Sequence, residues 1–249
     1  MIEREITVET PDGPMKVAVV QPDGDGPFPV VLEFMDAGGL RPELVDMAKR
    51  YAELGVLVAI PDFFHHFGEG ITHNASEVFG PDGEEKRNAM FALMAKLSDD
   101  MMVADIGATL DHLKGDAAAA DGPKGCVGYC LGGRAAVRAM GAFPDEFGAG
   151  SALHPSQLLR EEDSPYLDIA KSKGEWYFGF GSVDYLTPPE VVAGVKEQLA
   201  EAGLENVVDV TEGADHGFTM KSWPERYHAE ADRLHWDRTL DLFERRLLS

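Results

Sequence analysis

The sequence predicts an α/β fold: a mostly parallel eight-stranded sheet with an antiparallel start and helices on both faces. Three observations predict it. Apolar runs of strand length alternate with helical patterns almost from end to end. Two strand-like segments separated by a tight turn come first. The later strand candidates are apolar on successive residues, as strands covered on both faces require.

The elements follow in order. Glu5–Thr10 alternates like a strand, Pro11-Asp12-Gly13 is a turn, and Met15–Gln21 reads as the hairpin partner. Pro29–Phe34 is a buried strand. A helix near Pro42–Leu54 starts at a proline suited to the first turn and leaves at Gly55. Val56–Ile60 is a short apolar strand. Phe63–Gly83 is irregular, rich in Gly and Pro, and carries His65, His66 and His73. A stretch of that length without structure is usually functional. Helices are expected at Glu84–Leu97 and Asp99–Lys114, a strand at Gly125–Tyr129, and a helix from Gly132 to about Met140. Strands at Gly148–Leu153, Trp176–Gly181 and Val207–Val210, a helix at Pro189–Ala202 and a closing amphipathic helix over Glu225–Leu247 complete the pattern. No change in composition marks a linker, so residues 1–249 are expected to form one domain.

Composition narrows the partners. With 22 Lys and Arg against 44 Asp and Glu, the net charge is −22, which disfavours nucleic acid and anionic membranes. The first residues lack the apolar run of a signal peptide, and no stretch is long and apolar enough to span a bilayer. The two cysteines, Cys126 and Cys130, share one apolar segment, so no disulfide framework is expected and cytoplasmic residence is the simplest expectation.

The most informative segment is Gly125-Cys126-Val127-Gly128-Tyr129-Cys130-Leu131-Gly132-Gly133. It reads as strand, tight turn, helix. Its centre, Gly128-x-Cys130-x-Gly132, is the nucleophile-elbow pattern with sulfur in place of the serine oxygen. A nucleophile on a strained turn needs neighbours without bulk, which Gly128 and Gly132 supply. The sulfur then lies at a helix N-terminus, where the dipole favours thiolate, and the Leu131 amide can donate to an oxyanion. Cys126, four residues back in the strand, reads as an inert core thiol.

In this arrangement the acid and then the histidine follow the nucleophile along the chain. Asp184 stands just past an apolar strand, and His216 sits in a Gly-flanked loop after the last strand. His216 would carry protons beside the sulfur, with Asp184 fixing its tautomer. Asp215 competes for the acid role but is adjacent to His216 and should point elsewhere. His154, after the strand ending at Leu153, is a candidate pocket residue, whereas His228 and His235 are expected to be solvated on the last helix. His65, His66 and His73 show no ligand spacing, so they are expected at a lid or pocket rim, with no metal.

Over nearly its whole length the chain resembles the dienelactone hydrolase family, proteins like carboxymethylenebutenolidase with the α/β-hydrolase fold. The anchors are Gly-Tyr-Cys-Leu-Gly-Gly at 128–133, Asp184 shortly before a proline, His216-Gly217-Phe218, Met35-Asp36-Ala37-Gly38-Gly39-Leu40, and Ile60-Pro61-Asp62. The resemblance implies hydrolysis of a small ester or lactone without a cofactor, and leaves the oligomeric state open. It makes Asp36 the acid that contacts the resting cysteine, one methylene shorter than the family's usual glutamate, with Glu33 ranked below it. It makes Ala37 the donor of the second oxyanion amide and Arg87 the residue that binds a substrate carboxylate. A second family arginine, four residues after the histidine, is here Met220, with Lys221 beside it as a cation that lacks the planar fork. Two other readings are open: a thiol-redox protein using Cys126 and Cys130, and a catalytically silent binding protein on the same fold.

Overall fold

A computed structural model describes residues 1–249. The strands are β1 (Ile2–Thr10), β2 (Gly13–Gln21), β3 (Val30–Phe34), β4 (Leu57–Pro61), β5 (Lys124–Tyr129), β6 (Phe147–Leu153), β7 (Glu175–Gly181) and β8 (Asn206–Thr211). The α-helices are α1 (Pro42–Ala52), α2 (Ala75–Val78), α3 (Glu84–Met94), α4 (Asp99–Leu113), α5 (Leu131–Ala142), α6 (Pro189–Glu201) and α7 (Ala229–Leu247). The eight strands form one sheet in the order β1-β2-β4-β3-β5-β6-β7-β8. β2 runs antiparallel to both of its neighbours, and every pairing from β4 to β8 is parallel. This is the predicted α/β-hydrolase arrangement, antiparallel start included.

The strand patterns explain the layering. Every residue of β3, β4, β5 and β7 is buried, because helices cover both faces there. The terminal strands β1 and β8 are partly exposed. On one face α1 and α7 pack together through Tyr51 against Trp236 and Phe243, with ring centroids 4.7 and 5.8 Å apart. The other face carries α4 and α5, and α6 joins it through a 3-10 turn at Pro165–Lys171. Local signals set the helix starts. Pro42 opens α1, and the Ser98 side chain accepts a hydrogen bond from Met101 N at the head of α4.

Two stretches differ from expectation. The segment after β4 is less irregular than its composition suggests: Phe63–Phe67 form a 3-10 turn and Ala75–Val78 a single helical turn. The last helix begins at Ala229, because residues 220–227 fold into successive turns and His228, its Nδ1 accepting from Ala231 N, caps the helix. His235 also departs from expectation. It is fully buried between the sheet and α7, sharing hydrogen bonds with Tyr51 and Thr239, and burial lowers its pKa to about 3.

Candidate active site

The elbow is built where β5 meets α5. Cys130 takes φ 53°, a left-handed conformation that costs a non-glycine residue roughly 1–3 kcal/mol. The surrounding glycines make it possible. A Cβ on Gly128 would lie 1.9 Å from the Gly132 carbonyl oxygen, and one on Gly132 would lie 2.1 Å from the Phe34 carbonyl oxygen. The turn is therefore pressed against its own helix and against the end of β3. It is also tied to β6: Cys130 N donates to Leu153 O at 3.1 Å, and Cys130 O accepts from Ser156 N at 3.0 Å.

Opposite the elbow, His216 Nδ1 donates to Asp184 Oδ2 at 2.9 Å. The second Asp184 oxygen accepts from Leu186 N at 2.8 Å, so the carboxylate is held on both sides and only 3% exposed. Asp184 lies five residues before the start of α6 and does not cap it. Asp215 points elsewhere, as expected: one oxygen accepts from His216 N, and the carboxylate pairs with Arg226. His216 Nε2 is buried and has no nitrogen or oxygen partner. Burial acts to lower the His216 pKa, but the negative charge of Cys130 and the bond to Asp184 outweigh it and hold it at about 10.

Cys130, His216, Asp36, Ala37, Arg87 and His154 all line one cavity of about 950 Å³. Neither Leu131 N nor Ala37 N has a hydrogen-bond acceptor within the protein. His154 is fully buried, with Nε2 bonded to Thr219 Oγ1 at 2.9 Å and its ring edge-on to His216 at 5.1 Å. Burial, reinforced by charge on His216, pushes its pKa well down, so it stands there as a neutral wall.

Asp36 is more constrained than the sequence suggests. Its carboxylate accepts from Gly38 N at 2.9 Å and from both terminal nitrogens of Arg41, at 2.5 and 3.1 Å. Arg41 was missed. It lies just before Pro42 with no repeat or spacing to mark it, yet its guanidinium also reaches Glu43 and the Met220 sulfur. Glu33 is fully buried and does not line the cavity; neither carboxylate oxygen has a partner, and burial raises its pKa well above the usual range.

The expected second cation is not at the site. Lys221 is exposed and outside the cavity lining, while Met220 turns inward and is 2% exposed. The turn Gly217–Met220, closed by a bond from Met220 N to Gly217 O, sends neighbouring side chains in opposite directions. Other arginines missed at the sequence level reach the wall but are neutralised: Arg134 and Arg160 converge with Arg138 on Asp99. Arg87 differs, since its one side-chain hydrogen bond is to the Val78 carbonyl, at 3.2 Å, and no carboxylate pairs with it. His73 lines the cavity as a rim residue, but His65 and His66 face away from it, onto Asp105 of α4.

Cys126 is fully buried, and burial raises its thiol pKa far above the ordinary value. Four Cα-to-Cα steps of mostly extended chain separate it from Cys130, roughly 12 Å at strand rise, whereas bridged cysteines need Cα atoms within about 7 Å. That separation removes the redox pair.

Residues 15–247 match the model of the dienelactone hydrolase family. The chain is 27% identical to a carboxymethylenebutenolidase of Rhodococcus opacus over 217 residues, covering 85% of this chain and 79% of that protein. Among solved structures, it superposes with a TM-score of 0.82 on a Klebsiella pneumoniae protein provisionally assigned as a dienelactone hydrolase, at 20% identity and covering 97% of this chain and 98% of that one. A dienelactone hydrolase-like promiscuous phosphotriesterase from metagenomic libraries matches with a TM-score of 0.76 at 20% identity, covering 99% of this chain and all of that one, 100%.

Proposed function

Because the chain belongs to the dienelactone hydrolase family and is a carboxylic ester hydrolase, we propose that it opens lactones and activated esters through Cys130, His216 and Asp184. The Cys130 thiolate attacks the carbonyl carbon, and the free amides of Leu131 and Ala37 take the oxyanion. The His216 imidazolium protonates the departing alkoxide. The imidazole then draws a proton from water, which attacks the thioester and returns the thiolate. Asp184 fixes the tautomer through Nδ1 and stabilises the charged ring. A thiolate leaves more readily than an amine, so a tetrahedral adduct of an amide would revert, whereas one of an activated ester or lactone goes forward.

Asp36, held at the cavity wall by Arg41, is the acid beside the resting thiol in this reading. His154 shapes the wall behind His216. Arg87 receives a carboxylate on the substrate, because it is an arginine of the lining that no acid neutralises. Lys221 has no part in recognition.

The observation that carries the reading is the strained Cys130 in one cavity with His216, whose Nδ1 is held by Asp184. The test is hydrolysis of dienelactone and simple aryl esters by the wild type and by Cys130→Ala. We expect turnover lost on every substrate in the variant. Turnover that survives would remove Cys130 as nucleophile, and no wild-type turnover on either class would favour a silent binding protein.

A further inference from the structure

Past β4 the chain places two histidines where the cavity makes no use of them. The 3-10 turn Phe63–Phe67 is capped by Asp62, whose Oδ1 accepts from Phe64 N at 3.0 Å. Phe63 and Phe64 are buried in the core, and His65 and His66 turn toward α4. Their Nε2 atoms meet the two oxygens of one carboxylate, Asp105, at 3.1 and 2.9 Å. The two rings lie 3.9 Å apart between centroids. The three side chains are only 6%, 3% and 1% exposed, and no lysine or arginine pairs with Asp105. On the solvent side, Asp12 Oδ2, in the β1–β2 turn, lies 3.6 Å from His66 Nδ1.

We propose that His65, His66 and Asp105 form a binding site for a divalent transition metal of the zinc class, separate from the hydrolytic cavity. Two imidazoles and a carboxylate suit zinc or its neighbours better than magnesium or calcium. A tetrahedral ion with bonds of about 2.0–2.1 Å needs ligand atoms roughly 3.3 Å apart. The two nitrogen–oxygen contacts present, each to a different Asp105 oxygen, are 3.1 and 2.9 Å, and one ligand atom from each residue lies within 4.8 Å of the other two. The buried carboxylate faces only imidazoles, and a dication would supply the compensating charge.

Asp12 stands where an outer partner should. By taking the Nδ1 proton of His66 it would leave the Nε2 lone pair free for the ion, the tautomer a metal ligand requires. Water completes the fourth position. On binding, the single proton of each neutral ring moves from Nε2 to Nδ1, so that Nε2 can face the ion. The ion would join the β1–β2 turn, the turn after β4 and the middle of α4. Ligand spacing could not reveal the site, because the third ligand arrives from another element, on a helix 39 residues further on.

The experiment is titration with Zn²⁺ against a chromogenic chelator, on the wild type and three variants. We expect one ion per chain, retained in Cys130→Ala. His66→Ala and Asp105→Asn should weaken binding by more than the roughly 10–100-fold that loss of an outer partner costs. Imidazole ¹⁵N spectra of the wild type guard against a variant that misfolds: Zn²⁺ should shift the Nε2 resonances of His65 and His66 and leave His216 in place. Absence of binding, binding that survives His66→Ala, binding lost in Cys130→Ala, or a shift at His216 would each overturn the proposal.

Discussion

The elbow and the segment that covers it are assembled in opposite ways. In α5, behind the nucleophile, every residue from Leu131 to Met140 is buried, and the turn before it is held by glycine contacts with no room to spare. In α3, which lines the cavity mouth with Arg87 and Phe91, only Met90 is buried among eleven residues. Phe91 is 47% exposed and Phe79, on the same rim, is 38% exposed. The first region admits almost one arrangement of atoms. The second is attached by little apolar surface, the kind of segment that opens at low cost. The proposed nucleophile lies in the rigid part, and the proposed substrate contact, Arg87, in the looser one.

The contrast can be broken most forcefully at the elbow. Gly128→Ala drives a methyl group into the Gly132 carbonyl, and we expect a loss of at least about 4 kcal/mol, or no folded protein, by urea unfolding. Near-native stability would mean that the elbow is not as tightly packed as described. On the cover, Arg87→Ala should raise KM for a carboxylated lactone by roughly 10–100-fold, the worth of a hydrogen bond to a charged group. It should leave a neutral aryl ester unchanged; equal losses on both substrates would assign Arg87 to structure instead.

A subtler probe sharpens the rigid side. Glu33 is buried without a partner, and its folded pKa is raised well above 4.5 by burial. Below pH 4.5 both folded and unfolded chains keep the proton. Above it the unfolded chain ionises and the folded one does not, so stability falls as pH rises toward the raised pKa. Glu33→Met should therefore stabilise the protein by about 1–2 kcal/mol at neutral pH, with the gain shrinking as pH falls to 4.5. A gain independent of pH would show that Glu33 is ionised in place. The smallest effect belongs to the cover again: Phe91→Ala should shift unfolding by no more than about 0.5 kcal/mol.

The same contrast decides what could be read from the sequence. Glycines spaced around Cys130, Asp184 at the exit of an apolar strand, and His216 after the last strand leave a linear trace, because fold chemistry demands those residues at those points. Strand and helix positions were legible for the same reason, to within a few residues. Arg41 on Asp36, and the arginines around Asp99, left none, since each pairing joins segments that no periodicity relates. His235 was misread because a lone polar residue on an amphipathic helix looks solvated until the tyrosine it bonds is known. Lys221 was misread because one residue of phase in a tight turn separates inside from outside.

The order of strands has a further consequence. Cys130 follows β5, Asp184 follows β7 and His216 follows β8, while the long connection holding α2 and α3 follows β4, which presents none of the three. A change in the length of that connection therefore leaves unaltered the strand register beneath Cys130, Asp184 and His216.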